Sequence, residues 1–156
     1  MLSIRDACPE DAAAACEVMR RSIVELCAAD HSDDPEILAR WLSNKTPENV
    51  CAWIARQDAT MLVAIKTDAI VAVGMVTDAG EVLLNYVSPD VRFSGVSRAL
   101  LKALEARART CGAILSRLES TETARRFYRS NGYVETGAAT GKFGARSGYR
   151  MTKSLL

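Results

Sequence analysis

The spacing of apolar residues changes twice along this chain, and each change marks a change of local structure. Residues 2–6 alternate apolar and polar side chains, as a short first strand would. Pro9, Glu10 and Asp11 suit a first helical turn, and Ala15, Val18, Met19, Ile23 and Leu26 recur at helical spacing, which predicts a helix reaching about Ala29. Asp34-Pro35-Glu36 and Thr46-Pro47-Glu48 are further start signals. The first leads into an apolar face of Ile37, Leu38, Trp41 and Leu42, and the second into a short helix over Cys51, Trp53 and Ile54.

From Met61 the pattern becomes that of strands. Residues 61–66, 70–77 and 82–87 are apolar, β-branched runs separated by turns at Thr67-Asp68 and Asp78-Ala79-Gly80, and they read as an antiparallel meander. Helical spacing returns at Val96, Leu100, Leu101 and Leu104 and ends at Gly112, a C-terminal cap. A strand over 113–118 follows, then a helix over 121–130 closed by Gly132, and closing strands over 133–136 and 148–153 around a glycine-rich loop. The expected order is strand, helices, three strands, helix, strand, helix, strands. No repeat, low-complexity segment or linker interrupts it, so residues 1–156 are expected to form a single domain.

Composition narrows the function classes. With 49% hydrophobic and 25% charged residues, the chain has what a packed core needs. A formal net charge of +1 gives no global pull toward nucleic acid or an anionic membrane, so any anion site must be local. The longest apolar runs, such as 70–76, are too short to span a bilayer. The first six residues lack the basic-then-apolar layout of a signal peptide, and the expected location is cytoplasmic. Five cysteines, Cys8, Cys16, Cys27, Cys51 and Cys111, form no C-x-x-C pair, which argues against a disulfide framework and a zinc site and for buried thiols on helix faces. His31 is the only histidine, and its setting in Asp30-His31-Ser32-Asp33-Asp34 reads as a polar loop rather than a catalytic triad.

The most informative segment joins the third meander strand to the next helix. Pro89 stops strand pairing, and residues 92–97 crowd small side chains into the turn where the helix opens, leaving its first N–H groups unpaired. Such an end binds phosphate. Gly95 permits close backbone approach, Ser94 and Ser97 offer hydroxyl donors, and Arg92 supplies a countercharge. A P-loop would need G-x-x-x-x-G-K-[ST], and no lysine follows Gly95 at the required place.

The block V-S-P-D-V-R-F-S-G-V-S-R-A-L-L, residues 87–101, resembles the acetyl-CoA signature V-x-P-x-x-R-G-x-G-[IV]-[GAS]-x-x-L-[LI] of the GNAT superfamily. Val87, Pro89, Arg92, Gly95, Val96, Ser97, Leu100 and Leu101 carry the match. A second family pattern, N-x-x-A-x-x-[FL]-Y-x-x-x-G-[FY], is met over residues 121–133 through Ala124, Phe127, Tyr128, Gly132 and Tyr133. Departures are Phe93 and Thr121, where the family usually has Gly and Asn, and Ser97, where Gly or Ala is commoner.

This resemblance implies an α/β fold of the α+β type: a mixed, mostly antiparallel sheet of six to seven strands, splayed at the cofactor site and flanked by four to five helices. It implies an N-acyltransferase using acetyl-CoA, with direct attack by an amine in a ternary complex and no metal. The cofactor-binding set would be Tyr86, Val87, Arg92, Phe93, Ser94, Gly95, Val96, Ser97, Arg98, Thr121, Ala124 and Phe127. Backbone around Asn85, Tyr86 and Val87 would hold the thioester, with side-chain identity of little weight. Tyr128 falls where the family commonly has its general acid, although beside Phe127 it also reads as a core aromatic. Glu81 resembles the glutamate that some members use to deprotonate the amine, and equally reads as a solvated residue at a hairpin end. Glu119 and Glu25 are less specific alternatives.

The family's acceptor walls map to residues 23–34 and the loop 137–148. Asp30, His31, Asp33 and Asp34 would favour a cationic amine, whereas Lys142, Arg146 and Arg150 would favour one that also carries an anion. The acceptor itself, a small molecule or a protein amine, stays open. Family members often pair, so a homodimer is a further expectation. The competing class is a non-catalytic acyl-CoA sensor using the same turn.

Overall fold

The structure, a computed structural model, describes residues 1–137 and 148–156. Its centre is the meander. Strands β2 (Ala59–Lys66), β3 (Ala69–Thr77) and β4 (Glu81–Val87) pair in antiparallel order. Thr67 and Asp68 both take left-handed φ, 52° and 61°, giving the two-residue turn whose twist matches its flanking strands. With β1 (Ser3–Asp6), β5 (Leu115–Ser120), β6 (Val134–Gly137) and β7 (Tyr149–Ser154) they form one seven-stranded sheet in the order β1-β2-β3-β4-β5-β7-β6. Among the described residues only the β4–β5 pairing is parallel. The mixed, mostly antiparallel sheet expected from sequence is what forms.

Both faces of the meander are apolar because both are covered. Helix α5 (Val96–Thr110) lays Leu100, Leu101, Leu104 and Ala108 on one face, against Leu62, Ala64, Ala72 and Val76. The approach is close enough that a Cβ on Gly74 would stand 2.7 Å from Leu104 Cδ1. On the other face α1 (Ala12–Leu26) sets Ala15, Cys16, Val18 and Met19 on Met61, Val63, Val73 and Met75, with Val50 of α4 (Pro47–Ile54) closing the cluster.

The described residues contain six α-helices and two 3-10 turns, more than the four to five helices expected. The surplus comes from the first helix, which breaks where the sequence pattern runs on. Residues 9–11 form a 3-10 turn, and Cys27 leaves helical geometry at φ −104°, ψ 28°. A separate short helix, α2 (Ala28–His31), follows and is stopped by Ser32 at φ 52°. Helix α3 (Pro35–Leu42) starts at the expected signal, with the Asp34 carboxylate accepting from the amides of Glu36 and Ile37. Among the described residues no helix is long and apolar enough to cross a membrane. The expectation of buried cysteines holds for Cys16 and Cys27 but not for Cys51 and Cys111, which are exposed.

Candidate active site

The site begins where β4 and β5 part. They pair only at Glu81↔Arg117 and Val82↔Leu118. Gly80, at φ 95°, brings them together there: a Cβ on it would collide with the Leu115 carbonyl, and its own carbonyl accepts from Arg117 N at 2.9 Å. Immediately afterwards β4 carries one extra residue. Val76 faces Val82 and Met75 faces Leu84, so Leu83 is a bulge, a feature that turns a strand away from its neighbour. β5 stays paired with β7 along its whole length. The edge of β4 from Leu83 to Val87 is therefore left facing a cavity of about 460 Å3.

At the end of that edge lies the predicted phosphate turn. Ser88 N bonds the Val71 carbonyl at 2.7 Å, and Arg21 of α1 holds Asp90 through two bonds of 2.9 and 3.1 Å, which fixes the turn against the body. Phe93 and Gly95 take left-handed φ, 63° and 84°, so the chain does not run smoothly into α5. The amide of Ala99 is the first to close a bond onto the turn, on the Gly95 carbonyl at 3.1 Å. Among the described residues the amides of 92–98 reach no protein acceptor. Nothing lies within 4 Å of where a Gly95 Cβ would be, so the turn borders open space at Gly95. A helix N-terminus with unbonded amides is an anion site.

Side chains of the turn differ in what they can add. Arg92 stacks its guanidinium 4.5 Å above the ring of Phe93, which is 90% exposed at the rim. The Ser94 hydroxyl already donates to the Val91 carbonyl, so it is not the free donor the sequence suggested. Val96 is buried in the core while its amide remains in the turn.

The opposite wall is built by the β5–α6 connection. Helix α6 spans Arg125–Ser130, later than the predicted start at Thr121. The delay has a cause. The fully buried Asp30 carboxylate of α2 accepts from the amides of Glu122 and Thr123, at 2.7 and 3.1 Å, and from the Thr123 hydroxyl, holding 121–124 as a turn. Thr121 Oγ1 then accepts from Ala124 N at 3.1 Å. Asp30 and His31 are thus not a polar loop. His31 is fully buried, with Nε2 on the Ile23 carbonyl at 2.8 Å and Nδ1 accepting from Asp33 N at 2.9 Å.

From α6, Tyr128 projects into the same space. Its ring packs edge-on between Phe127 and Tyr133, with centroids 5.3 and 5.5 Å away, and its hydroxyl oxygen accepts from Asn85 Nδ2 at 3.1 Å. Burial pushes this phenol up to about 12, outweighing the opposing effect of the Asn85 bond. Because Asn85 is the donor, the Tyr128 proton is left for another acceptor. Sequence reasoning gave the Asn85 side chain no role. Its neighbour Tyr86 accepts from Trp41 Nε1 at 3.4 Å, and burial raises its phenol as well.

All of the predicted cofactor set lines this one cavity, as does Tyr128. Glu81 does not: it starts β4 at the paired end, before the strands separate. Glu119, near the end of β5, does line it, and its Oε1 is buried. Gly148 lies over Glu119 so closely that a Cβ would sit 2.5 Å from its Cγ. Cys27 is the one cysteine in the lining, and burial pushes its thiol up to about 12, which keeps it protonated and unreactive. Of the expected acceptor walls, Asp30, His31 and Asp34 are bonded internally, while Lys142 and Arg146 fall outside the described residues.

Comparison with known proteins agrees with this geometry. Curated protein sequences yield no significant match. Among solved structures, a GCN5-related N-acetyltransferase from Rhodopseudomonas palustris shares 25% identity and a TM-score of 0.87, over 97% of this chain and 94% of that one. The PaiA N-acetyltransferase from Thermoplasma acidophilum, solved with coenzyme A, shares 20% identity and a TM-score of 0.84, over 99% of both chains. YncA from Salmonella typhimurium, solved with its cofactor acetyl-CoA, shares 24% identity and a TM-score of 0.75, over 100% of this chain and 95% of that one. A family model described as an acetyltransferase (GNAT) domain matches residues 27–155, a span that holds the parted strands, the open turn and Tyr128 together, and the chain belongs to the GNAT acetyltransferases.

Proposed function

We propose that this protein transfers an acetyl group from acetyl-CoA to a primary amine by direct attack in a ternary complex. The observation that carries this reading is the row of unbonded amides at 92–98, on a turn that lines the same cavity as Tyr128. The structures of PaiA with coenzyme A and YncA with acetyl-CoA support it on the side of the donor.

The residues fit the donor in two places. The amides of 94–98 and the dipole of α5 would hold the pyrophosphate, with Arg92 and Arg98 supplying charge at the rim. The free edge of β4 at Tyr86 and Val87 would bond the pantetheine amides as a missing strand does, with Phe127 and Ala124 closing the other side. Thr121 shapes the connection that carries these last residues.

In the transfer, the amine nitrogen forms a bond to the acetyl carbon while the carbon–sulfur bond breaks, leaving one proton to be removed from nitrogen and one to be given to sulfur. Tyr128 is suited to protonate the sulfur, because its phenol stays protonated at any physiological pH and its hydrogen is not committed to Asn85. Glu119 is suited to take the proton from nitrogen, because Glu119 lines the cavity and Glu81 does not. Backbone N–H groups on the free edge of β4 would polarise the thioester carbonyl.

Thiol release from acetyl-CoA over a panel of amines tests the reading. Amine-dependent release is expected. Tyr128→Phe and Glu119→Gln should each cut kcat by about 100-fold while sparing coenzyme A affinity, and Glu81→Gln should change little. Coenzyme A binding without release from any amine would point to a sensor instead.

A further inference from the structure

A second cavity, of about 400 Å3, lies between β4 and the α3–α4 region, within the ~300–1,000 Å3 span of small-molecule sites. It shares Leu83, Leu84 and Tyr86 with the first, so the stretch of β4 that β5 has left borders both. Its chemistry differs sharply from that of its neighbour. Trp41, Trp53 and Tyr86 supply rings, Arg40, Lys45 and Arg56 supply positive charge, and no Asp or Glu is in its lining among the described residues.

The three cations are not equivalent. Arg56 shares its charge with Asp58, 2.8 Å away. Lys45 is buried, with its ammonium 2.8 Å from Asn44 Oδ1. Arg40 is exposed and bonds no carboxylate among the described residues.

The loop that presents Lys45 is fixed from behind. Arg20 donates to the carbonyls of Leu42 and Lys45 at 3.0 and 2.9 Å, and the Cys16 thiol donates to the same Lys45 carbonyl at 3.1 Å. Asn49 Nδ2 bonds the Asn44 carbonyl at 3.0 Å. Positive charge on an anchored loop beside a cavity without acids is already arranged for an anion, and little ordering is left for binding to do.

We propose that this cavity takes the acceptor, and that the acceptor is a primary amine that also carries a carboxylate or phosphate on an apolar or aromatic body. The anion engages Arg40 and Lys45, the body lies against Trp41 and Trp53, and the amine reaches the free edge of β4. The amine half of this inference rests on the N-acetyltransferase reading, while the anion half rests on the cavity alone. Of the acids that would have selected a cationic amine, Asp30 is bonded to the β5–α6 connection and Asp34 to the start of α3, while Asp33 is exposed and lines neither cavity.

The test compares matched probes on the full chain. L-phenylalanine is set against 2-phenylethylamine, phosphoethanolamine against ethanolamine, and spermidine serves as the cationic control. In thiol release, the member of one pair that bears the anion should show kcat/KM roughly tenfold or more above its partner. Arg40→Gln should bring that ratio toward one, and Arg40→Glu should turn the preference toward spermidine. Which pair responds separates carboxylate from phosphate. Calorimetric binding of the same probes to the coenzyme A complex is measured in parallel, so the outcome does not depend on turnover. Anion-selective binding that Arg40→Gln abolishes supports the site even if no thiol is released, in which case only the transferase reading fails. Preference for spermidine or the neutral amines, anion preference that survives Arg40→Gln, or binding of no anionic probe overturns the proposal.

Discussion

Asn85 donates its side-chain amide to the Tyr128 hydroxyl at 3.1 Å, joining β4 to α6 across the gap between the splayed strands. The bond positions the phenol and decides which way its proton can go. Asn85→Leu removes it, and kcat should fall by roughly tenfold as the hydroxyl loses its orientation, with coenzyme A affinity nearly unchanged.

The same phenol sets a pH expectation. Its pKa is raised to about 12, so its value as an acid is intact below that pH and is lost only as pH rises through it. A kcat profile between about pH 6 and 10 should show no alkaline fall from this group, and an alkaline limb that disappears in Tyr128→Phe would contradict the assignment.

Gly95 holds φ 84° beside open space, so replacing it tests backbone geometry without a clash. Gly95→Ala should cost about 1 kcal/mol of strain and relax the amides of the turn. Titration calorimetry should show coenzyme A binding weakened by roughly tenfold, against a modest drop in unfolding midpoint.

Asp30 is a buried carboxylate with three donors from the β5–α6 connection. Asp30→Asn keeps the shape but turns an amide toward those donors, at a cost of roughly 2–3 kcal/mol by urea unfolding. Because Thr121, Thr123 and Ala124 line the donor cavity, KM for acetyl-CoA should rise in this variant. An unchanged KM would mean that the connection holds its form without Asp30.

What the sequence made legible was local. The meander, the start of α5 and the turn at Gly95 each follow from spacing and residue type within a dozen positions, and they fall where expected. What it hid depends on partners far along the chain. Asp30 and His31 look like a solvated loop until the amides of Glu122 and Thr123 are seen to come back to Asp30. Asn85 looks like any polar strand residue until Tyr128 lies opposite. The choice between Glu81 and Glu119 turns on where β4 and β5 separate, which the bulge at Leu83 sets and no periodicity reveals. The α3–α4 cavity combines two helices and β4, and only the sheet brings them together.

The central claim is that the backbone of 92–98 receives the pyrophosphate of coenzyme A, and amide chemical shifts read that contact directly. In a 15N-labelled sample titrated with coenzyme A, the amides of 94–98 should move furthest, with those of Tyr86 and Val87 following, and ATP at the same concentration should move them less. Saturable binding that leaves 94–98 in place, or no binding at all, would contradict the account.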